Sequence, residues 1–246
     1  EILFAAEGTL EVILSRKETQ SFARALVKDF KSIMKCFASI NLERSDTRNP
    51  ADKKMIFEQV ARREGGINGL NRIVKGALRA WLATEARNAL DALPAEERAT
   101  SPLLNNVAWM LYEQGKLDEA APLYHEYLEG CRAQLGDTHP YTLTAMNNLA
   151  QLHKARGDLD KAEPLMVDAL AARRATLGDT HPGTLISMSN LATLHKARGD
   201  LDKAAPLMVG TLKARRAMLG DTHPDTLTSM NNLAQLHKAR GDLDKA

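Results

Sequence analysis

Apolar positions in the C-terminal part of the chain recur at spacings of three and four residues. One such stripe, typical of a helix with one buried face, consists of Leu143, Met146, Leu149, Ala150 and His153. A second stripe of the same period consists of Leu159, Ala162, Met166 and Ala169. Between them, Gly157 can adopt the left-handed conformation that ends a helix, and Asp158 can cap the next one. The pattern predicts two antiparallel helices whose backbones approach closely at the small residues Ala150 and Ala162.

This two-helix pattern recurs every 42 residues along the chain. Residues 139–162 and 223–246 differ at only two positions, a third copy lies between them, and a divergent copy precedes them. We divide the array into units at residues 97–138, 139–180, 181–222 and a partial 223–246. Each hairpin leaves an apolar flank that only stacking on a neighbour buries. The sequence therefore predicts a mainly α fold, an α-solenoid of antiparallel helical hairpins, over residues 96–246.

Several short motifs recur in step with this period. They are Asn-Leu-Ala, Gly-Asp-Leu-Asp-Lys-Ala, Leu-Gly-Asp and His-Pro, together with Glu-Pro-Leu at residues 163–165. Over residues 101–246 the pattern resembles the tetratricopeptide repeats of kinesin light chains and nephrocystin-type proteins. This resemblance implies a protein that works by binding other proteins. The chain departs from the family pattern at His153, His195 and His237, where tyrosine is usual.

The first 95 residues follow a different pattern. Residues 10–15 have the β-branched, apolar character of a short buried strand. Residues 20–40 then predict a helix whose inward face consists of Phe22, Leu26, Phe30, Ile33 and Phe37. A helical stretch that carries Met55, Ile56 and Val60 is predicted from residue 49 and is broken at Gly65-Gly66. Two more helical segments are predicted, one through Ile73, Leu78 and Trp81 and one over residues 86–93. We expect residues 1–95 to be the remnant of a small α/β domain plus helices, loosely similar to a Toll/interleukin-receptor-type fold.

Charge and cysteine content narrow the classes of partner. The chain has 33 basic and 31 acidic residues, and its net charge of +2 is too small for a nucleic-acid-binding surface. Cys36 and Cys131 are too isolated for a disulfide framework or a metal knuckle, which favours a reducing, cytoplasmic setting. No apolar run is long enough for a membrane span, and residues 1–15 lack the pattern of a signal peptide. Neither nucleic acid nor a membrane is therefore expected as a partner.

Both ends of the sequence are expected to be truncation points. The chain starts at Glu1 without an initiator methionine and stops at Ala246 inside a repeat. We therefore expect a fragment of a longer product. Because the partial fourth unit lacks its second helix, its C-terminal face is expected to be apolar and prone to aggregation.

Residue types that carry catalysis or bind metals occur here without the spacing that such sites need. Six of the seven histidines are repeat-equivalent, either before proline or within the first helix of a unit. They are not spaced with carboxylates or thiols as a zinc site requires. Residues 64–69, Glu-Gly-Gly-Ile-Asn-Gly, match neither the dinucleotide-binding nor the P-loop pattern, and no nucleophile motif occurs in the sequence. We expect neither catalysis, nor a cofactor, nor a bound metal.

Polar side chains follow the face of each first helix that lies opposite its apolar stripe. With spacings of four and three residues, Asn147, Gln151 and Lys154 share one helical face on the concave side of the array. Their equivalents are Ser189, Thr193 and Lys196, then Asn231, Gln235 and Lys238, and in the first unit Asn105, Trp109 and Tyr112. Asparagine and glutamine both donate to and accept from a peptide backbone, and lysine favours acidic residues. This set is the predicted peptide-binding groove.

The resemblance to kinesin light chains supports this groove, because matching asparagine and basic positions line the cargo-peptide groove of that family. It supports Asn105, Asn147 and Asn231, whereas Ser189 departs from the family pattern. The other interpretation is that the polar residues only solvate an exposed face. The paired arginines at 173–174 and 215–216 are interpreted as cations that oppose the helix dipole.

Two classes of function remain open. The first is a non-enzymatic adaptor whose concave surface binds an extended, acidic or aromatic-containing peptide of a partner protein. The second is a signalling enzyme or receptor whose α/β domain, mostly upstream of Glu1, carries the activity while the repeats assemble it. A motor heavy chain as partner follows from the resemblance alone, because residues 1–100 show no sustained heptad pattern.

Overall fold

The chain divides into two compact units, Glu1–Val107 and Ala108–Ala246. The computed structural model describes residues 2–4, 10–12, 16–39 and 66–242. The first unit contains a short hairpin in which β1 (Ile2–Phe4) pairs antiparallel with β2 (Leu10–Val12). It continues with the helices α1 (Arg16–Ser39), α2 (Gly66–Asp91) and α3 (Ala95–Thr100). Both β2 and α1 pack against α2.

The strand and the first helix of this unit were both expected from the pattern. The strand is present at Leu10–Val12, and the helix predicted for residues 20–40 begins earlier, at Arg16. On its inward face Leu26 and Phe30 are buried, and Phe22 stacks on Trp81 with ring centroids 5.1 Å apart. Ile33 is half-buried, while the side chain of Phe37 and the segment 40–65 lie outside the described residues.

The prediction of two separate helical segments between residues 73 and 93 is wrong. A single helix, α2, covers residues 66–91, and Ile73 is 57% exposed on it rather than part of the core. The segment contains no proline, and an isolated glycine such as Gly76 costs a helix only about 1 kcal/mol without ending it. Burial of Leu78 and Leu82 favours the continuous helix.

The remaining helices form the repeat array. They are α4 (Pro102–Glu113), α5 (Leu117–Leu135), α6 (Pro140–Arg156), α7 (Leu159–Leu177), α8 (Pro182–Arg198), α9 (Leu201–Leu219) and α10 (Pro224–Arg240). From α5 to α10 each helix packs against the next, and α8 also contacts α6 and α10. The predicted mainly α solenoid of antiparallel hairpins is confirmed.

From α6 onward, the first helix of each unit begins and ends with the same two structural features. At the start of the helix, a histidine stands directly before the proline of the first turn. The Nδ1 of this histidine accepts a hydrogen bond from the backbone N–H two residues later in the chain, at 3.2 Å for His139, 3.0 Å for His181 and 3.1 Å for His223. At the other end Gly157, Gly199 and their equivalent 241 have φ between 79° and 89°, the left-handed region that favours glycine. The predicted cap Asp158 stands at the N-cap position of α7, but its side chain makes no capping bond.

Replacement of His181 by alanine is expected to lower the free energy of unfolding by about 1 kcal/mol, because the N–H of Gly183 loses its acceptor. His181→Asn keeps a side-chain acceptor at the same place and should retain most of that stability. Urea unfolding followed by circular dichroism measures both variants. Equal losses in the alanine and asparagine variants would contradict a capping role.

The core of each unit is built as the apolar stripes predict. Ala150 and Ala162 are fully buried and belong to one cluster with Met166, Leu170 and Leu191, so α6, α7 and α8 meet there. The equivalent cluster one unit later contains Ala192, Ala204, Met208 and Leu236. The small alanines stand where the two helices of a hairpin approach, which agrees with the predicted close contact.

The last helix leaves an apolar face open. Leu143 and Leu185 are 2% and 3% exposed, but their equivalent in α10, Leu227, is 51% exposed. A cavity of about 600 Å³ is lined by residues of α9, the loop after it and α10, namely Val209, Leu212, Lys213, Arg216, Ala217, Gly220, Asp221 and Leu233. Leu227 is therefore uncovered in α10, whereas the predicted apolar C-terminal face and its tendency to aggregate stay predictions.

Candidate functional site

Polar side chains from neighbouring first helices contact one another directly. Lys154 Nζ of α6 donates to Thr193 Oγ1 of α8 at 3.0 Å, and Lys196 Nζ of α8 donates to Gln235 Oε1 of α10 at 2.7 Å. Each lysine thus bonds to a polar residue on the first helix of the next unit. We call the set on α6, α8 and α10 the polar surface: Asn147, Gln151, Lys154, Ser189, Thr193, Lys196, Asn231, Gln235 and Lys238.

The members of the predicted groove differ in exposure. Asn231, Gln235 and Lys238 are exposed, and Trp109 of α4 is 44% exposed. The half-buried members are Asn105, Tyr112, Gln151, Lys154, Ser189, Thr193 and Lys196. Exposure therefore increases toward α10 within the polar surface.

Asn147 is buried rather than open. It is 5% exposed, and its Nδ2 donates to the carbonyl of Leu143 at 3.0 Å and to Ser187 Oγ at 3.2 Å. Its Oδ1 is buried and has no hydrogen-bond partner within the described residues. Asn147 thus joins α6 to α8 while keeping one acceptor unused.

The charge of the polar surface is positive. Burial lowers the pKa of Lys154, and the positive charge of Lys196 lowers it further. In the part of the chain that the structure describes, the hydrogen-bond partners of both lysines are neutral oxygens rather than carboxylates. Two neighbouring cations without a neutralising anion favour an anionic ligand.

Arg173 and Arg215 connect the second helix of their own unit to the first helix of the next unit. Arg173 is 8% exposed, and its Nη1 donates to Ser187 Oγ at 2.6 Å and to the carbonyl of Gly183 at 3.2 Å. Arg215 repeats this arrangement, with Ser229 Oγ at 2.8 Å and the carbonyl of residue 225 at 3.1 Å. Burial lowers the pKa of the Arg173 guanidinium.

Sequence reasoning missed this contact, because both arginines were interpreted only as partners of the helix dipole. A signal for it was present in the differences between repeats. Where the later units have arginine and serine, the first junction has Cys131 and Ala145, and both of these are fully buried. The two positions change together, as contacting positions do.

A second set of contacts joins the units at the ends of the first helices. Arg156 donates to Asp118 at 2.6 Å and to the carbonyl of Leu117 at 3.0 Å. Arg198 repeats the pairing with Asp160 and Glu163, and Arg240 with Asp202 and the carbonyl of Leu201. These side chains are thereby committed to the fold and are poor candidates for ligand binding.

The histidines within the first helices are structural in their contacts. His153 is 7% exposed and His195 is 6% exposed, and the Nδ1 of each is buried without a hydrogen-bond partner among the described residues. Burial lowers the pKa of both rings. The charged or titratable groups around them are His125, Asp158 and Lys161 for His153, and Glu163, Lys203, Asp200 and Arg198 for His195.

The array should lose stability as the pH falls below neutrality. Histidine in the unfolded chain has a pKa of about 6.5. Since burial lowers the folded pKa of His153 and His195, the unfolded chain binds more protons between the two values. Their contribution is therefore complete above about pH 6.5 and declines as the pH is lowered through that interval.

Urea midpoints measured from about pH 7.5 to 5 test this expectation, because the interval contains the unfolded histidine pKa. The double variant His153→Gln, His195→Gln should show a smaller decline than the parent chain. A pH dependence of equal size in the two proteins would assign it to other groups.

Neither a metal site nor a membrane-spanning helix is found within the described ranges. No cluster of three or more histidine, cysteine, aspartate or glutamate side chains there is arranged to hold a metal ion. None of the described helices combines the length and apolar composition needed to cross a bilayer.

Comparison with known proteins agrees with this architecture. Two family models described as tetratricopeptide repeat match the chain, one over residues 97–175 and 152–209 and the other over residues 226–246. Together they cover more than half of the 246 residues. No curated protein sequence matches the chain significantly.

Solved structures show the same fold at low sequence identity. The crystal structure of BtubC (BKLC) from P. vanneervenii has a TM-score of 0.62 at 20% identity, covering 95% of this chain and 87% of that one. A P. anserina protein described as a kinesin light chain with nearly identical TPR-like repeats has a TM-score of 0.59 at 21% identity, covering 81% and 92%. The hairpins, their stacking and the matched repeats lead to one conclusion: this chain belongs to the tetratricopeptide repeat family.

Proposed function

We propose that the polar surface binds an extended, acidic peptide segment of a partner protein. The family assignment supports the broader statement that the array is a protein-interaction scaffold, a role in which tetratricopeptide repeats are generally non-enzymatic. The proposal adds a place and a chemistry to that statement. The place is the face of α6, α8 and α10 that carries amide and ammonium groups.

The observation that carries the proposal is the pair Lys154 and Lys196. Their ammonium groups bond only to the neutral oxygens of Thr193 and Gln235 in the described part of the chain. A carboxylate that approached either lysine would replace a neutral acceptor by a charged one and add the Coulomb attraction between opposite charges. The half-buried position of Lys154 reduces solvent screening and strengthens the effect.

Amide side chains supply the second part of the interaction. Gln151 and Gln235 lie on the same helical face as the lysines, and each carboxamide both donates and accepts. Such groups bond to a peptide backbone whatever its side chains are. The combination favours an extended backbone carrying acidic residues.

A fluorescein-labelled peptide of alternating glutamate and alanine tests the proposal directly by fluorescence anisotropy. The double variant Lys154→Gln, Lys196→Gln should bind it about tenfold more weakly, equivalent to 1.4 kcal/mol. The control Lys161→Gln, Lys203→Gln removes the same charge from exposed lysines next to Asp158 and Asp200, and should bind like the parent chain.

Affinity for the glutamate peptide should also decrease as salt concentration rises, because exposed charges are screened. A lysine-alanine peptide of the same length should not bind. Equal weakening in the two double variants, or equal binding of the two peptides, would contradict the proposed function.

A further inference from the structure

Three buried polar side chains from three successive helices meet at one hydroxyl group. Ser187 Oγ of α8 accepts from Arg173 Nη1 of α7 at 2.6 Å and from Asn147 Nδ2 of α6 at 3.2 Å. Ser187 is 0% exposed, Asn147 5% and Arg173 8%. Through Asn147, the polar surface is thereby connected to the Arg173–Ser187 contact that joins the second and third units.

This connection fixes the orientation of the Asn147 carboxamide. Its nitrogen has two hydrogens, and both have acceptors, the carbonyl of Leu143 and Ser187 Oγ. A flipped amide would place its oxygen against the Leu143 carbonyl, so that two acceptors faced each other. Oδ1 is therefore held in one direction, buried and without a donor among the described residues.

A buried acceptor without a partner destabilises the folded protein, and a ligand N–H that bonds to it can recover that loss. Gln151 and Lys154 follow Asn147 on the same helical face and are only half-buried, so a ligand can reach that face. A peptide lying along that face brings backbone N–H groups past this position. An ester or an N-methylated amide at the same place would have no proton to donate.

We propose that Arg173 and Ser187 are positioning residues that hold Asn147 with its Oδ1 available to accept a backbone N–H of the bound peptide. This inference rests on the proposed function and deepens it. It means that the contact between the second and third units contributes to ligand binding as well as to the stacking of the units. Peptide binding and the fastening of α7 to α8 are then coupled through one hydroxyl group.

The chain contains its own control for this arrangement. Arg215 bonds to Ser229 at 2.8 Å in the same way, but the residue at the position of Asn147 is there Ser189. Ser229→Ala therefore removes an equivalent arginine-serine bond without an asparagine beside it. Both Ser187→Ala and Ser229→Ala are expected to fold, because the arginine beside each serine keeps its backbone carbonyl acceptor, at residue 183 or 225.

The free protein gives the first test. Solvent exchange of the Asn147 side-chain amide protons, measured by NMR, should be at least about tenfold faster in Ser187→Ala, because a hydrogen-bonded amide exchanges only when it opens. The same protons should be unchanged in Ser229→Ala. Unchanged exchange in Ser187→Ala would overturn the positioning role whatever the protein binds.

Affinity for the glutamate-alanine peptide gives the second test. Ser187→Ala and Asn147→Ala should each weaken binding about fivefold, and the double variant should weaken it no further, since the two residues act as one group. Ser229→Ala should bind like the parent chain. Additive losses, or an equal loss in Ser229→Ala, would overturn the coupling.

The two tests separate this inference from the proposed function. Failure of the parent chain to bind the peptide would contradict the proposed function and the binding half of the inference. Amide exchange would still decide the positioning half. Normal peptide binding with no effect of Ser187→Ala would leave the proposed function standing and refute the inference.

Discussion

Replacement of Arg173 by alanine is expected to lower the free energy of unfolding by about 3 kcal/mol, because hydrogen bonds to a buried charged donor contribute about 1.5 to 3 kcal/mol. The guanidinium bonds to Ser187 and to the carbonyl of Gly183, and a weaker contact at 3.4 Å reaches Thr144. Removing it takes one donor from each of these oxygens, although Asn147 Nδ2 still donates to Ser187 Oγ. The aliphatic part of the arginine side chain is lost from the junction as well.

The adjacent Arg174 provides a matched control. Its side chain is 44% exposed and pairs with Asp179 at 2.8 Å, an exposed ion pair of the kind that contributes about 0 to 1 kcal/mol. Arg174→Ala should therefore change the unfolding free energy by less than about 1 kcal/mol. Urea titrations of the two variants give the comparison, and similar losses from both would refute a structural role specific to Arg173.

Replacement of Met166 by alanine is expected to have a similarly large effect, about 3 kcal/mol, since truncation of a buried methionine typically costs 2 to 5 kcal/mol. Met166 is 0% exposed and lies in the cluster where α6, α7 and α8 meet. Its removal leaves a cavity bordered by Ala150 and Ala162, whose small side chains cannot fill the space. The neighbouring helices are held by the other cluster members and can close only part of it.

Val167→Ala is the control for this core substitution. Val167 is the next residue on α7 and is 43% exposed, so its truncation removes little buried surface. Alanine also has the higher helix propensity by a few tenths of a kcal/mol, which offsets part of that loss. Differential scanning calorimetry should show a lower Tm for Met166→Ala alone. Equal Tm values for the two variants would place Met166 outside the core.

The sequence was sufficient for features that depend on local chemistry. The spacing of Leu143, Met146 and Ala150 predicted which face of α6 is buried, and all three are buried. The position of Gly157 predicted where α6 ends, and its φ of 84° confirms it. Because each unit repeats these signals, the repeat architecture could be predicted from the sequence.

Contacts between units could not be predicted in the same way. Asn147 was placed with Gln151 and Lys154 by helical spacing alone, which does not say that Ser187 of the next unit covers it. The partners are 40 residues apart, and their approach depends on how neighbouring hairpins stack. The same holds for Arg173, whose burial follows from packing against α8 and not from its place near a helix end.

Near-identical repeats carry a risk of misassembly, because one hairpin can dock on the wrong copy. Arg173 would find in Ser229 the same hydroxyl that it finds in Ser187, so the later junctions are interchangeable. The first junction is not, since Cys131 and Ala145 occupy the equivalent positions. An arginine docked against that alanine would lack the hydroxyl acceptor that it has at the later junctions, at a cost of about 1 to 3 kcal/mol. The α5–α6 contact thus differs chemically from the later junctions and disfavours the docking of α7 or α9 in its place.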